Sequence, residues 1–280
     1  MKAMMRSIAN PLSDYFLSSH KRVVQFAVGV HDGAAKAIHS ITSLLPSPPP
    51  TPADADRLDE IDRSDPYVCL SLDARNAFNT MSRTAIFDAI YGSASRPYDK
   101  GDVAPGDPIN NPSHFRSFLP CLETYYGRDA FLGFVGKDGR LHRISGKTGV
   151  QQGDPPSAAM YAVGQHPVLM RVADRHTEVF IVAYADNIFI IGRLSRAFAC
   201  AEDLVERMEG DLDLEINLGE SWVHAPAWVH HTHAPPAYTA LLSTHPTLAP
   251  LELRIPGTRI LGTPIGSTPF RTAFVADHTT

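Results

Sequence analysis

The stretch VFIVAYADNIFII, residues 179–191, decides the fold class of this chain. It consists of two apolar runs, and the polar residues Asp186 and Asn187 lie between them. Short apolar runs separated by residues that tolerate a tight turn are typical of a β-hairpin, and runs as apolar as these are typical of strands buried on both faces. The stretch therefore predicts a buried hairpin with Asp186 and Asn187 at its tip.

Two further stretches predict strands. YVCLSL, at Tyr67–Leu72, is an apolar run that ends at Asp73, and DLDLEINL, residues 211–218, alternates apolar and polar residues. These strands interleave with helical segments and form no repeated parallel βαβ units. The predicted class is α+β, with helices packed on one face of a largely antiparallel sheet.

The helical segments are marked by apolar spacing and by start signals. Residues 34–45 have apolar side chains on one helical face after an Asp-Gly turn signal. Ser82 and Ser195 each precede a segment of helical periodicity, so both are predicted N-caps. Asp154, followed by proline, is a third predicted cap.

The composition excludes several classes of protein. A net charge of −5 argues against a generally basic surface, so any contact with nucleic acid must be local. Three cysteines without a C-x-x-C pair predict neither a disulfide framework nor a zinc ribbon. No apolar run is long enough for a signal peptide or a membrane span, which predicts a soluble intracellular protein with no membrane partner.

Two proline-rich segments interrupt the periodic pattern. PSPPPTPADADR, residues 46–57, predicts an extended loop. Residues 224–250 contain five histidines among prolines, which raises the possibility of a metal site. We favour a loop, because no cysteine lies nearby, the spacing matches no common zinc pattern and proline disrupts helices that would present ligands.

Asp73 and Asp186 are the candidates for chemistry. Both follow buried strands, so their carboxylates converge if those strands are neighbours. Two carboxylates at one corner repel each other unless a cation lies between them, and Mg²⁺ is the usual cation where phosphates react. The alternative is structural, because Asp-Asn is a common turn pair and an aspartate after a strand often caps a helix.

Six segments, in order, resemble the motif blocks of reverse transcriptases, especially those of non-LTR retrotransposons. The match to motif B is long and specific. The segments are VVQFAVGVHDGAAKAIHSI for the late fingers (23–41), LSLDARNAFNTMSR for motif A (70–83), TGVQQGDPPSAAMYAVGQHPVL for motif B (148–169), VAYADNIFIIG for motif C (182–192), LEINLGESWVH for motif D (214–224) and RILGTPIG for motif E (259–266).

The resemblance implies a polymerase palm with partial fingers. It implies template-directed DNA synthesis by two-metal nucleotidyl transfer, with Mg²⁺ or Mn²⁺ as cofactor. The partners would be an RNA or DNA template with its primer and deoxynucleoside triphosphates. The implied layout is partial fingers with a Pro-rich loop (1–66), a palm core with motifs A to D (67–223), a Pro/His-rich insertion (224–250) and a motif E hairpin with a C-terminal tail (251–280).

The resemblance also assigns roles to individual residues. Asp73 and Asp186 match the metal-binding aspartates. Phe78 matches an aromatic gate that lies under the incoming sugar and excludes a 2′-hydroxyl, although a core phenylalanine would fit the same pattern. Gln152 and Gly153 match the turn that approaches the nucleotide and template, where glycine permits close approach of the backbone.

Departures from the family pattern predict impaired catalysis. Asn187 replaces the second aspartate of the Y-x-D-D box, and an amide offers a metal one oxygen but no charge, so it would be a weak ligand. Glu220 stands where the family carries a lysine that protonates the leaving pyrophosphate. The early fingers would precede residue 1 and the thumb would follow Thr280. The sequence thus predicts a weak or inactive enzyme, or alternatively a non-catalytic retroelement remnant or a palm that binds nucleic acid or protein.

Overall fold

A computed structural model describes residues 2–91 and 119–278 of the chain. Helices and strands alternate along it, with short 3-10 turns at Pro226–Trp228 and Pro246–Leu248. The α-helices are α1 (Lys2–Ser18), α2 (Gly33–Leu44), α3 (Pro52–Ala55), α4 (Glu60–Ser64), α5 (Ala77–Thr80), α6 (Arg83–Tyr91), α7 (Leu119–Tyr126), α8 (Ser157–Arg175), α9 (Leu194–Leu212), α10 (Pro236–Thr244) and α11 (Thr268–His278). The strands are β1 (Val23–Gln25), β2 (Tyr67–Leu72), β3 (Ala130–Val135), β4 (Leu141–Gly146), β5 (Phe180–Tyr184), β6 (Asn187–Arg193), β7 (Trp222–His224), β8 (Glu252–Leu253), β9 (Gly257–Ile260) and β10 (Thr263–Gly266).

A six-stranded sheet forms the centre of the fold, in the order β1-β5-β6-β2-β7-β8. The four inner strands are antiparallel, whereas β1 and β8 join the sheet in parallel. Tyr184 pairs with Asn187 across the β5–β6 hairpin, and Leu72 pairs with Ile188 on the neighbouring strand pair. The predicted hairpin and the predicted strand at Tyr67–Leu72 are both confirmed, and β2 ends beside the hairpin tip.

Both faces of this sheet are covered. Leu70, Ile188 and Ile190 point into a core shared with α1, α6, α8 and α9. Cys69 and Phe189 point the other way, into a second core shared with α2 and the β9–β10 hairpin. Burying an aliphatic or aromatic side chain of this size contributes about 1.5–3 kcal/mol. The α+β class is confirmed, with α2 as an addition on the second face.

The predicted strand at residues 211–218 is wrong, although its burial pattern is correct. Helix α9 continues to Leu212, because Leu212 still packs in the core, and Asp213 then turns the chain in the left-handed region at φ 56°. Leu214 and Ile216 are buried as the alternation predicts. Ile216 pairs with Ala74 through a single isolated bridge, so too few residues remain to form a strand.

Two of the three predicted N-caps are also wrong. The Ala85 N–H donates to Ser82 Oγ at 3.4 Å, as predicted. Helix α9 begins at Leu194, so Ser195 is its second residue and not its cap. The N–H and hydroxyl of Ser195 donate to the Asp65 carboxylate. Asp154 precedes α8 but accepts a hydrogen bond from the Tyr126 hydroxyl.

The loops predicted for the two proline-rich segments are wrong in part, because the first contains α3 and the second contains α10. The Pro/His-rich segment packs into the body of the molecule. Trp228 is buried in the first core, and its indole N–H donates to the Arg63 carbonyl at 3.0 Å. His230 Nε2 lies 2.8 Å from the Pro49 carbonyl oxygen, which joins this segment to the first proline-rich one. The division of the chain into domains stays a prediction. None of the helices that the structure describes is long and apolar enough to cross a membrane.

Candidate active site

Asp73 and Asp186 meet at one end of the inner strands. Asp73 directly follows β2, and Asp186 lies in the turn between β5 and β6. The Asp73 N–H donates to Ser221 Oγ at 3.0 Å, and the Asp73 carbonyl accepts from the Asn217 N–H at 2.7 Å. The segment between α9 and β7 therefore holds the backbone of Asp73 where the strand ends.

The charges around Asp73 alter its protonation. Burial raises the pKa of the Asp73 carboxyl, and the negative charges of Asp186 and then Glu220 raise it further. Each of these charges disfavours the ionised form of Asp73. A cation held between Asp73 and Asp186 would offset that repulsion.

A buried glutamine holds the hairpin tip in shape. Ala185 adopts the left-handed conformation at φ 54°, which is uncommon for a residue with a Cβ. Its N–H donates to Gln25 Oε1 at 3.2 Å, and Gln25 Nε2 donates to the Ala185 carbonyl at 3.4 Å. Asn187 Nδ2 donates to Asp186 Oδ1 at 3.4 Å. Sequence reasoning missed Gln25, although a glutamine inside an apolar run is a signal that could have found it.

The Phe78 ring stacks on Tyr161, with centroids 4.8 Å apart and planes inclined by 25°. Tyr161 is fully buried in α8, and its hydroxyl accepts a hydrogen bond from Gln165 Nε2 at 3.0 Å. Burial raises the pKa of Tyr161, and the charges of Asp186 and Asp73 raise it further. Tyr161 therefore links the ring of Phe78 to the pair of carboxylates. Sequence reasoning missed this residue, because an aromatic residue on an apolar helix face is usually a core residue.

The loop before α8 rests on the segment that contains Phe78. The Val150 N–H donates to the Phe78 carbonyl at 2.6 Å. Gly149, at φ 63°, packs so closely that a Cβ there would lie 2.3 Å from the same oxygen. Gln152 and Gly153 follow on the exposed part of this loop, with Gly153 at φ 95°. The structure thus brings Asp73, Asp186 and Phe78 together and connects Gln152 and Gly153 to them through the loop.

The donor set suits one magnesium ion that completes its shell with other oxygens. Within residues 2–91 and 119–278 there is no group of three or more His, Cys, Asp or Glu side chains that could hold a metal ion. Mg²⁺ is nevertheless commonly bound by one or two carboxylates together with water and substrate phosphates. The observation that fits such an ion is the placement of the two carboxylates: Asp73 directly follows β2, and Asp186 directly precedes β6, the strand that pairs with β2.

Comparisons with known proteins support the fold. No protein-family model and no curated protein matches this chain. Among solved structures, telomerase from Candida albicans in complex with the TWJ fragment of telomeric RNA is similar with a TM-score of 0.51 and 12% identity, over 96% of this chain and 38% of that one. Apo telomerase from Candida tropicalis has a TM-score of 0.49 and 10% identity, over 80% of this chain and 36% of that one.

This chain spans less than two-fifths of the length of either telomerase chain. At such low identity, the likeness to the Candida albicans structure shows the fold alone. The fold of this chain is therefore α+β and similar to that of the Candida albicans telomerase structure.

Proposed function

We propose that this chain is the palm and partial fingers of a reverse transcriptase of the non-LTR retrotransposon type, with weak or no activity in template-directed DNA synthesis. The observation that carries the proposal is the convergence of Asp73 and Asp186. Asp73 follows β2, Asp186 precedes β6, and Leu72 pairs with Ile188 between these two strands. The polymerase fold and the ordered motif blocks support it.

The proposed reaction joins the 3′-oxygen of a primer to the α-phosphorus of a deoxynucleoside triphosphate and releases pyrophosphate. Mg²⁺ or Mn²⁺, held by Asp73 and Asp186 with weak help from Asn187, would activate the 3′-hydroxyl and neutralise the leaving group. Phe78 would lie under the sugar, and Gln152 and Gly153 would approach the nucleotide and the template.

The proposed partners are an RNA or DNA template with its primer. The similar telomerase was solved with an RNA fragment, which supports a nucleic-acid partner for this chain. Because the whole chain is acidic, the contact must be made by a local basic surface.

A non-catalytic palm is the second candidate, and Glu220 favours it. This carboxylate lies close enough to Asp73 to raise its pKa. It therefore adds negative charge where a triphosphate would bind, and when ionised it has no proton to give the leaving group. Asn187 removes a further metal-binding charge. Such a palm would bind nucleic acid or protein without synthesis, or be a retroelement remnant.

Primer extension on RNA and DNA templates, with Mg²⁺ or Mn²⁺, tests the proposal. We expect weak extension that falls at least about 100-fold in Asp73→Asn and Asp186→Asn, because both remove a metal-binding charge. Asp277→Asn, a change at an exposed position of α11, is the matched control. Extension that survives Asp73→Asn contradicts the assigned site, and no extension by the folded protein favours the non-catalytic palm.

A further inference from the structure

The β3–β4 hairpin forms its own two-stranded sheet, separate from the central one. Three of its apolar side chains are largely exposed: Phe134 by 48%, Val135 by 70% and Leu141 by 64%. A two-stranded hairpin is marginally stable in water by itself. A partner that covers these side chains would therefore stabilise the hairpin.

The β3–β4 hairpin and the residues that flank it, 128–147 in all, are basic, whereas the protein as a whole is acidic. Residues 128–147 carry five basic and two acidic residues, whereas the whole chain has 25 basic and 30 acidic residues. Lys137, Arg140 and Arg143 are exposed, and none of them forms an ion pair within the part of the chain that the structure describes. Their charges are therefore available to an anionic partner.

The register divides the hairpin into two different faces. Phe134 pairs with His142, and their rings stack with centroids 5.2 Å apart and planes inclined by 21°. Arg143, opposite Gly133, lies on the other face beside Val135 and Leu141. The face that carries Phe134 and His142 offers a flat aromatic surface. Lys137 and Arg140 lie in the turn, and Arg143 lies on the opposite face.

Both ends of the hairpin are attached beside the candidate active site. Arg83 Nε donates to the Gly149 carbonyl at 2.7 Å, and Arg83 Nη1 donates to the Arg128 carbonyl at 3.1 Å. Thr148 Oγ1 donates to the Asn79 carbonyl at 3.0 Å, next to Phe78. A strand lying along the hairpin would therefore lead to Phe78.

We propose that the β3–β4 hairpin is the surface that binds the single-stranded part of the nucleic-acid template. Lys137 and Arg140, in the turn, contact its phosphates, and a base stacks on the Phe134–His142 pair. Cations beside exposed aromatic rings suit a strand whose bases are unpaired, because each base has a face to stack and each phosphate a charge to neutralise. This inference rests on the proposed function and names the local basic surface that it requires.

Fluorescence anisotropy with labelled single-stranded RNA at several salt concentrations tests the proposal. Lys137→Ala with Arg140→Ala should weaken binding and lower the slope of log K against log salt by about 1.4, since each phosphate contact contributes about 0.7. Lys21→Ala with Arg271→Ala removes the same charge from exposed positions on other elements and should leave the slope unchanged. Phe134→Ala should weaken binding about 10-fold without changing the slope.

Three outcomes would overturn the proposal: no binding by the wild type, equal losses in the two double variants, or a Val135→Ser variant that changes only the oligomeric state. The last would make the hairpin a contact between copies of this chain. All substituted side chains are exposed, so circular dichroism melts should match the wild type. If the wild type binds RNA through the hairpin but never extends a primer, the hairpin proposal stands and the non-catalytic palm is favoured. If it extends primers while the hairpin variants bind normally, the hairpin proposal alone fails.

Discussion

At the scale of single residues, Asp73 determines the electrostatics of the candidate site. Its carboxyl is partly buried and faces the charges of Asp186 and Glu220, all of which raise its pKa. A raised pKa in the folded state means that ionisation of Asp73 opposes folding. Asp73, which would bind a cation, therefore destabilises the fold when it is ionised and no cation is bound.

The first prediction concerns stability and pH. The penalty from Asp73 is absent below its ordinary pKa of 3.8 and grows as pH rises through the raised value. Asp186→Asn removes one of the charges, so it should raise the melting temperature at pH 7 and have little effect near pH 3. Asp138→Asn should lower the melting temperature at pH 7, because hydrogen bonds from Arg140 and His142 lower the pKa of Asp138 and so favour its ionised form in the folded protein. Equal melting temperatures of Asp186→Asn and wild type at pH 7 would contradict the assigned repulsion.

The second prediction concerns repair of catalysis. Asn187→Asp restores a metal-binding charge, and Glu220→Lys removes a charge that acts on Asp73 while adding a proton donor. General acid catalysis is typically worth about 100-fold or more, so neither change alone should suffice. We expect the double variant to incorporate nucleotides well above either single variant in primer extension. No gain would place the defect elsewhere in the chain, and Glu206→Lys, at an exposed position of α9, is the control for added positive charge.

The third prediction concerns sugar selection. If the ring of Phe78 is the obstacle to a 2′-hydroxyl, Phe78→Ala should raise ribonucleotide incorporation relative to deoxynucleotide incorporation. Tyr161→Leu should do so more weakly, because it removes the ring on which Phe78 stacks. Phe87→Ala, a change on α6, should leave the ratio unchanged in the same assay. Unaltered discrimination by Phe78→Ala would show that the gate lies elsewhere.

At the scale of elements, the position of Asp186 depends on two strands that are distant in sequence. Strand β1 pairs in parallel with β5, which places the side chain of Gln25 against the turn after Tyr184. Gln25 satisfies both the N–H and the carbonyl of Ala185. The hairpin tip is therefore held by its neighbour as well as by its own turn residues.

The fourth prediction follows from that contact. Gln25→Ala leaves the backbone groups of Ala185 without these hydrogen bonds and should cost about 1–3 kcal/mol. The loss is measured as the free energy of unfolding in urea. Gln151→Ala, at an exposed position, should change it little. If the two variants are equally stable, the tip does not depend on Gln25.

At the scale of the whole molecule, the Pro/His-rich segment contributes to the main core. Trp228 and Tyr238 are buried there, and Trp228 also bonds to the segment before β2. Proline begins α10 and both 3-10 turns of this segment, so its apolar side chains are buried by short elements and not by a long helix. Its unfolding should therefore be coupled to that of the palm.

The fifth prediction tests this coupling. Trp228→Ala should lower the free energy of unfolding by about 3–5 kcal/mol, because it leaves a large cavity in the core. Far-ultraviolet circular dichroism and tryptophan fluorescence should still report one transition. His233→Ala, at an exposed position of the same segment, should have no such effect. A separate early transition for the segment would mean that it folds independently of the palm.

The sequence by itself determined three of the four inner strands, β2, β5 and β6, and predicted that Asp73 and Asp186 lie at their ends. Local apolar runs indicate a buried strand and a buried hairpin, and both were predicted with nearly their observed bounds. The ordered motif blocks then predicted a polymerase palm. The predicted burial at residues 211–218 was also correct, because the alternation of apolar and polar residues indicates which side chains face the core. That alternation does not indicate whether a neighbouring strand is available for pairing, so the predicted strand was wrong.

Only the tertiary structure decided which residues support the site. Gln25 lies 160 residues from Ala185, and Tyr161 contacts Phe78 from a different element, so no local pattern relates either pair. Ser195 has the composition of an N-cap but bonds to Asp65, which is 130 residues away. The physical reason is the same in each case: a polar or aromatic side chain takes the partner that packing brings near, and packing depends on segments far apart in the chain.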